Sequence, residues 1–193
     1  MTYYDITQEV FHSKVFPGDP VPQKEQLSSM EAGDLYNLTA FSMCAHNGTH
    51  IDAPSHFVKE GKTVDRISLE TLVGECYVAF HEGLVTKEDA EAILVKAKSV
   101  KRILIKGNAT LTYEAAEVFV NAGILLFGNE SQTVGPEDAP MEVHLLLLSA
   151  EVVLLEGVRL SAVSEGVYFL FAAPLLLGGA DGAPCRAILI SQV

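Results

Sequence analysis

The chain has 193 residues, 49% hydrophobic and 20% charged, which is the balance of one globular domain over residues 1–193 and excludes a disordered chain. A formal net charge of −12 argues against nucleic acid or an anionic membrane surface as partner. A small-molecule substrate stays open, because a bound dication would reset the local field.

The opening Met-Thr-Tyr-Tyr-Asp-Ile-Thr reads as a strand over residues 2–7 and lacks the basic and apolar regions of a secretory signal, so a cytoplasmic protein is expected. A loop follows with Phe16-Pro17-Gly18-Asp19-Pro20, strong turn chemistry because proline fixes φ and glycine accepts positive φ. That loop is either a connector or a wall presenting Phe16 to a pocket. Tyr36 to Met43 reads as a strand entering the segment 46–56. Beyond it come a turn at Glu60-Gly61-Lys62, a short helix at Ser68 to Leu72 and a strand at Cys76 to Phe80, with His81 in a surface loop. A helix over Thr86 to Ala97 has a capping pair in Thr86 and Asp89.

Arg102 to Lys106 is a strand, Thr112 to Asn121 a helix capped by Thr112 and closed by Gly123, and Ile124 to Phe127 a buried strand. The irregular stretch from Gly128 to Pro140 has the length of a functional loop. A helix is expected from near Pro136 and Glu137 through Ser149, then a strand at Val152 to Leu155. The last strands, Val167 to Ala172 and Ala187 to Ser191, bracket the loop Gly178-Gly179-Ala180-Asp181-Gly182. Alternating helices and apolar strands make this an α/β protein with a mixed sheet. The runs Leu145 to Leu148 and Phe169 to Leu177 are too short or interrupted to span a bilayer. Cys44, Cys76 and Cys185 are scattered and odd in number, which suits a reducing compartment better than a disulfide framework.

The chemistry concentrates in His46-Asn47-Gly48-Thr49-His50-Ile51-Asp52-Ala53-Pro54-Ser55-His56. Imidazoles and a carboxylate suit Zn²⁺, Mn²⁺ or Fe²⁺. His46, His50, Asp52 and His56 share one side of an extended chain, but at ~3.3 Å per residue a straight strand would part the outer two by roughly 33 Å. The segment must bend, and Gly48 and Pro54 are the expected places. A chance cluster in a polar loop and a closed structural metal site are the competing readings, with a catalytic metal site favoured. Cys44, two residues before His46, could serve as a ligand, but a small buried thiol is the expected reading. His144, among apolar neighbours, reads as a core histidine or a ligand. Glu156 ends an apolar strand, where a lone carboxylate would cost several kcal/mol unless neutralised by a proton or a cation. Glu151 reads as solvated.

The run 46–56 resembles the His-x-Gly-Thr-His-x-Asp-x-Pro-x-His signature of the cyclase-like metal-dependent hydrolases, among which bacterial kynurenine formamidase is best known. The resemblance extends to Pro17-Gly18-Asp19, His144, Leu155-Glu156-Gly157, Gly166-Val167-Tyr168 and the run Gly179 to Arg186. It implies a swivelling β/β/α domain that forms a homodimer or higher homo-oligomer. It also implies one metal on His46, His50 and Asp52, a second on His144, and bridging by Asp52 and Glu156. His56 would be the proton donor and acceptor, and Phe16 a substrate-pocket wall. The ions would be Zn²⁺ or Mn²⁺, one or two per chain. Formamidases of the family commonly carry tryptophan in place of Phe16 and an Asp-Thr-Pro-Ser run where this chain has Asn129-Glu130-Ser131-Gln132. Both differences fall where the substrate pocket is shaped, so the resemblance implies the chemistry, hydrolysis of a small amide, more firmly than the substrate, for which an N-formyl aryl amine is the expectation. Metal-dependent cyclisation, lactonisation or dehydration is the alternative, and a non-catalytic metal-binding protein the third reading.

Overall fold

A computed structural model describes residues 1–136, 138, 139 and 141–191. Thirteen strands are assigned in chain order. The first six are β1 (Thr2–Asp5), β2 (Gln23–Ser28), β3 (Leu38–Ser42), β4 (His50–Asp52), β5 (Val73–Phe80) and β6 (Gly83–Val85). The others are β7 (Arg102–Lys106), β8 (Ala109–Leu111), β9 (Leu126–Asn129), β10 (Val153–Glu156), β11 (Gly166–Phe171), β12 (Gly182–Pro184) and β13 (Ile188–Ser191). Four helices join them: α1 (Leu69–Leu72), α2 (Lys87–Ala97), α3 (Tyr113–Asn121) and α4 (Met141–Ser149).

Nine strands make one curled mixed sheet, ordered β1-β13-β11-β5-β7-β9-β10-β4-β12. Its centre, β5-β7-β9-β10, is parallel and reads as apolar runs because both faces are covered. Successive residues feed opposite faces. Ile103 and Ile105 join Phe119, Phe127, Leu147 and Leu154 under the helices, while Leu104 joins Val78, Leu126, Leu155 and Leu189 on the other side. At ~25 cal/mol per Å² of apolar surface, each such side chain contributes about 1.5–3 kcal/mol on burial.

The capped helices form where expected. The Thr86 side chain accepts the Asp89 N–H while the Asp89 carboxylate accepts the Thr86 N–H, and Thr112 caps α3 through Ala115 N–H. The helix expected from Pro136 is seen over Met141–Ser149, and Glu137 lies outside the described residues. The N-terminal connector is richer in structure than expected, because Gln23–Ser28 pairs with Leu38–Ser42 as a separate two-stranded ribbon. Cys44 is half-buried rather than buried, since it sits in the turn preceding the histidine segment. Among the described residues, no helix is long and apolar enough to cross a membrane.

Candidate metal centre

The segment 46–56 bends where its sequence demands. Gly48 takes φ of 68°, a left-handed conformation that suits glycine, and Pro54 opens a 3-10 turn over Pro54–His56. Between the bends β4 is three residues long and wholly buried, antiparallel to β10 on one side and β12 on the other. Its register sets His50 opposite Glu156, so the two side chains share a face. Ile51 points into the opposite core, leaving His50, Asp52 and Glu156 on the side covered by helices. There α4 contributes His144, whose ring stacks on Phe57 at 4.9 Å between centroids.

The donors converge on two carboxylates that are 1% and 3% exposed, Asp52 and Glu156. Asp52 Oδ1 lies 2.7 Å from His46 Nδ1 and 3.3 Å from His50 Nε2. Glu156 Oε2 lies 3.5 Å from His50 Nε2, and its Oε1 lies 3.1 Å from His144 Nε2 while accepting the Val134 N–H at 2.9 Å. His144 Nε2 is 4.0 Å from Asp52 Oδ2. On its other edge, His50 Nδ1 meets the Gly48 carbonyl at 3.0 Å, which holds that nitrogen as the donor and turns Nε2 toward the acids. Among the described residues, two groups of three have ligand atoms close enough for one ion: His46, Asp52 and His56, and His50, Asp52 and Glu156. Asp52 belongs to both.

Protonation follows from this crowding. Burial alone would favour neutral His50, yet hydrogen bonds and attraction from Asp52 and Glu156 outweigh it and push the imidazole up to about 10. Burial likewise opposes the Asp52 charge, but the His46 and His50 imidazoles beside it hold its carboxyl well below the usual range. His46 is raised against its own burial by Asp52. A cluster of carboxylates that gathers positive charge so strongly fits a divalent cation, and nitrogen and oxygen donors of this kind suit Zn²⁺ or Mn²⁺.

Beside the donors lies a cavity of about 260 Å³ lined by Phe16, His56, Phe57, Gln132 and Thr133. A larger depression, about 470 Å³, lies elsewhere between Gln8, Phe41 and Pro174 and is lined by none of these histidines. The structure thus brings together His46, His50, Asp52, His56, His144, Glu156 and Phe16. Glu151 stays apart on the surface, paired with Lys62 at 2.8 Å.

The stretches 129–132 and 179–186 were marked by the resemblance, but sequence reasoning assigned no role to two residues in them. Among the described residues, Gln132, nine-tenths buried, has neither amide atom partnered, and Thr133 Oγ1 is unpartnered as well. The neighbouring residues of that run are structural: Asn129 donates to the Ala109 and Thr133 carbonyls, and the Glu130 carboxylate accepts the Gly107 and Leu160 N–H groups. The second is Asp181, whose Oδ2 lies 3.1 Å from His46 Nε2 and 3.2 Å from His56 Nδ1. Its sequence signals were an acid inside a glycine-rich loop and a place in the run Gly179 to Arg186 that resembles the family.

The family described as "Putative cyclase" matches residues 4–136. Kynurenine formamidase of Bacillus thuringiensis (strain Al Hakam) is 32% identical over 202 residues, covering 97% of this chain and 96% of that protein. Kynurenine formamidase of Erythrobacter litoralis (strain HTCC2594) is 30% identical over 200 residues, covering 96% and 92%. Among solved structures, one described as a potential metal-dependent hydrolase with cyclase activity superposes with a TM-score of 0.82 at 29% identity, covering 97% and 96%. Isatin hydrolase A from Labrenzia aggregata bound to benzyl benzoate shares the fold, with a TM-score of 0.86 at 21% identity and coverage of 99% and 94%.

Proposed function

The chain belongs to the cyclase family, and from that membership and its donor set we propose that it is a divalent-metal-dependent hydrolase of a small amide, with N-formyl aryl amines as the first substrates to test. The observation that carries this reading is the convergence of His46, His50 and His144 on the buried pair Asp52 and Glu156, beside a cavity of substrate size. His46, His50 and Asp52 would hold one cation; His144 would hold a second, with Asp52 and Glu156 shared. When bound, the cation supplies Lewis acidity and a water activated at neutral pH.

The chain's own residues do the rest. His56, stacked on His46 at 4.0 Å and lining the cavity, takes a proton from the attacking water and returns it to the leaving amine. Phe16 and Phe57 pack on the apolar part of the substrate. The carboxamide of Gln132 offers a donor and an acceptor side by side, complementary to a substrate amide. A buried polar side chain of this kind gains most when a ligand satisfies it.

A cavity beside the donors favours catalysis over a closed structural site. Cyclisation or lactone chemistry is the second reading, since the same Lewis acid would serve it. The apolar ribbon residues Leu35, Tyr36, Leu38 and Phe41, 45–94% exposed, support a homodimer or larger homo-oligomer. Three unpaired thiols support a cytoplasmic setting.

The test is elemental analysis of the purified protein, then a screen of N-formyl and other aryl amides with Zn²⁺ or Mn²⁺ restored and products identified. Hydrolysis of an N-formyl aryl amine is expected, and His56→Ala should lose about 100-fold or more in kcat with metal content intact. Ring closure in place of hydrolysis would select the second reading. Full turnover by the His56 variant would remove its assigned role.

A further inference from the structure

We propose that Asp181 is a positioning residue whose single carboxylate oxygen fixes the ring orientation and tautomer of both His46 and His56. Its kinetic consequence rests on the hydrolase reading above; its structural consequence does not.

Asp181 Oδ2 lies 3.1 Å from His46 Nε2 and 3.2 Å from His56 Nδ1, and those two rings stack with centroids 4.0 Å apart at 28°. An ionised carboxylate only accepts, so each facing ring nitrogen is an N–H. In neutral imidazole the second nitrogen then carries the lone pair. For His46 that nitrogen is Nδ1, which lies 2.7 Å from Asp52 Oδ1, the position from which the two could share a cation. For His56 it is Nε2, so a residue that lines the cavity keeps its basic nitrogen free for proton transfer. One oxygen therefore sets a ligand and a proton carrier together.

The backbone around Asp181 is held firmly enough for the task. The Ala53 N–H donates to the Asp181 carbonyl and the Val64 N–H to the Ala180 carbonyl, each at 2.9 Å. The next residue, Gly182, pairs with Asp52 in the β4–β12 ladder. The same strand pairing that places the shared carboxylate thus places Asp181.

Asp181→Ala and Asp181→Glu test the proposal, with ¹⁵N NMR of the imidazoles in zinc-loaded protein as the first readout. Wild type should show His56 protonated at Nδ1, and Asp181→Ala should lose that preference while Asp181→Glu retains it in part. Where wild type hydrolyses an amide, Asp181→Ala at saturating metal should lower kcat about 10- to 100-fold with KM and metal content nearly unchanged. An unchanged His56 tautomer in Asp181→Ala overturns the proposal. So does a variant that cannot be loaded with metal at saturation, since Asp181 would then be a ligand. If wild type hydrolyses no amide, the hydrolase reading fails while the tautomer measurement still decides the role of Asp181.

Discussion

Asp52 and Glu156 sit beneath the surface among imidazoles, and each needs a proton, an imidazolium or a metal ion to offset its burial. Without metal, His50 supplies the charge. Its pKa, raised from 6.5 to about 10 against burial by Asp52 and Glu156, makes its contribution to stability fully present below about pH 6.5 and lost as pH rises toward 10. Asp52 works in the other direction: held low despite burial by His46 and His50, it contributes above about pH 4 and loses that contribution as pH falls further. Metal-stripped protein should therefore lose denaturant stability from pH 6.5 toward 10, with a slope from this histidine of at most about 1.4 kcal/mol per pH unit. Metal-loaded protein should not follow, because the cation replaces the proton; parallel slopes in the two forms would count against the cluster as a metal site. At this scale the sequence exposed the candidate ligands that share a short motif, and Glu156 because an acid closing an apolar strand is costly. Asp181 lay in the run that resembles the family, but its role stayed hidden, since an acid in a glycine-rich loop looks like any solvated turn and only the fold brings it to His46 and His56.

Three residues of β4 carry two of the donors, and the strands on either side supply their surroundings. β10 brings Glu156 opposite His50, while β12 brings Gly182 opposite Asp52. A Cβ on Gly182 would lie 2.5 Å from His46 Cε1, so the glycine is there to admit the ring. Gly182→Ala should displace His46 and weaken metal binding about 10-fold or more, read as the midpoint of a zinc titration against a chelator, with the circular dichroism spectrum preserved. An unaltered midpoint would mean that His46 is not held against that strand. Capped helices and the central strands were readable from sequence because α2 and α3 announce their starts and β5, β7 and β10 contain the apolar runs 76–80, 103–105 and 153–155. The three-residue ladders were not. Gly83–Val85 with Ala109–Leu111 is too short for periodicity, and Gly182-Ala183-Pro184 is poor strand material that pairs only because β4 offers an edge.

Over the whole molecule, the curled sheet gathers site residues that are far apart in sequence. The histidine segment supplies its donors from β4, the strand inside the β12 edge, α4 adds His144, and the end of β10 adds Glu156. The fold class was legible from alternating helices and apolar strands, whereas the strand order that makes β4 the meeting point was not, because β4 pairs with strands about 100 and about 130 residues downstream. Whether this assembled cluster holds a metal on which turnover depends is decided by amide hydrolysis measured against metal occupancy, from chelator-stripped protein through stepwise addition of Zn²⁺ or Mn²⁺. Activity should be lost on stripping and return in proportion to bound metal, saturating at one or two ions per chain. Full turnover by stripped protein, or metal that binds without restoring any, would contradict the account.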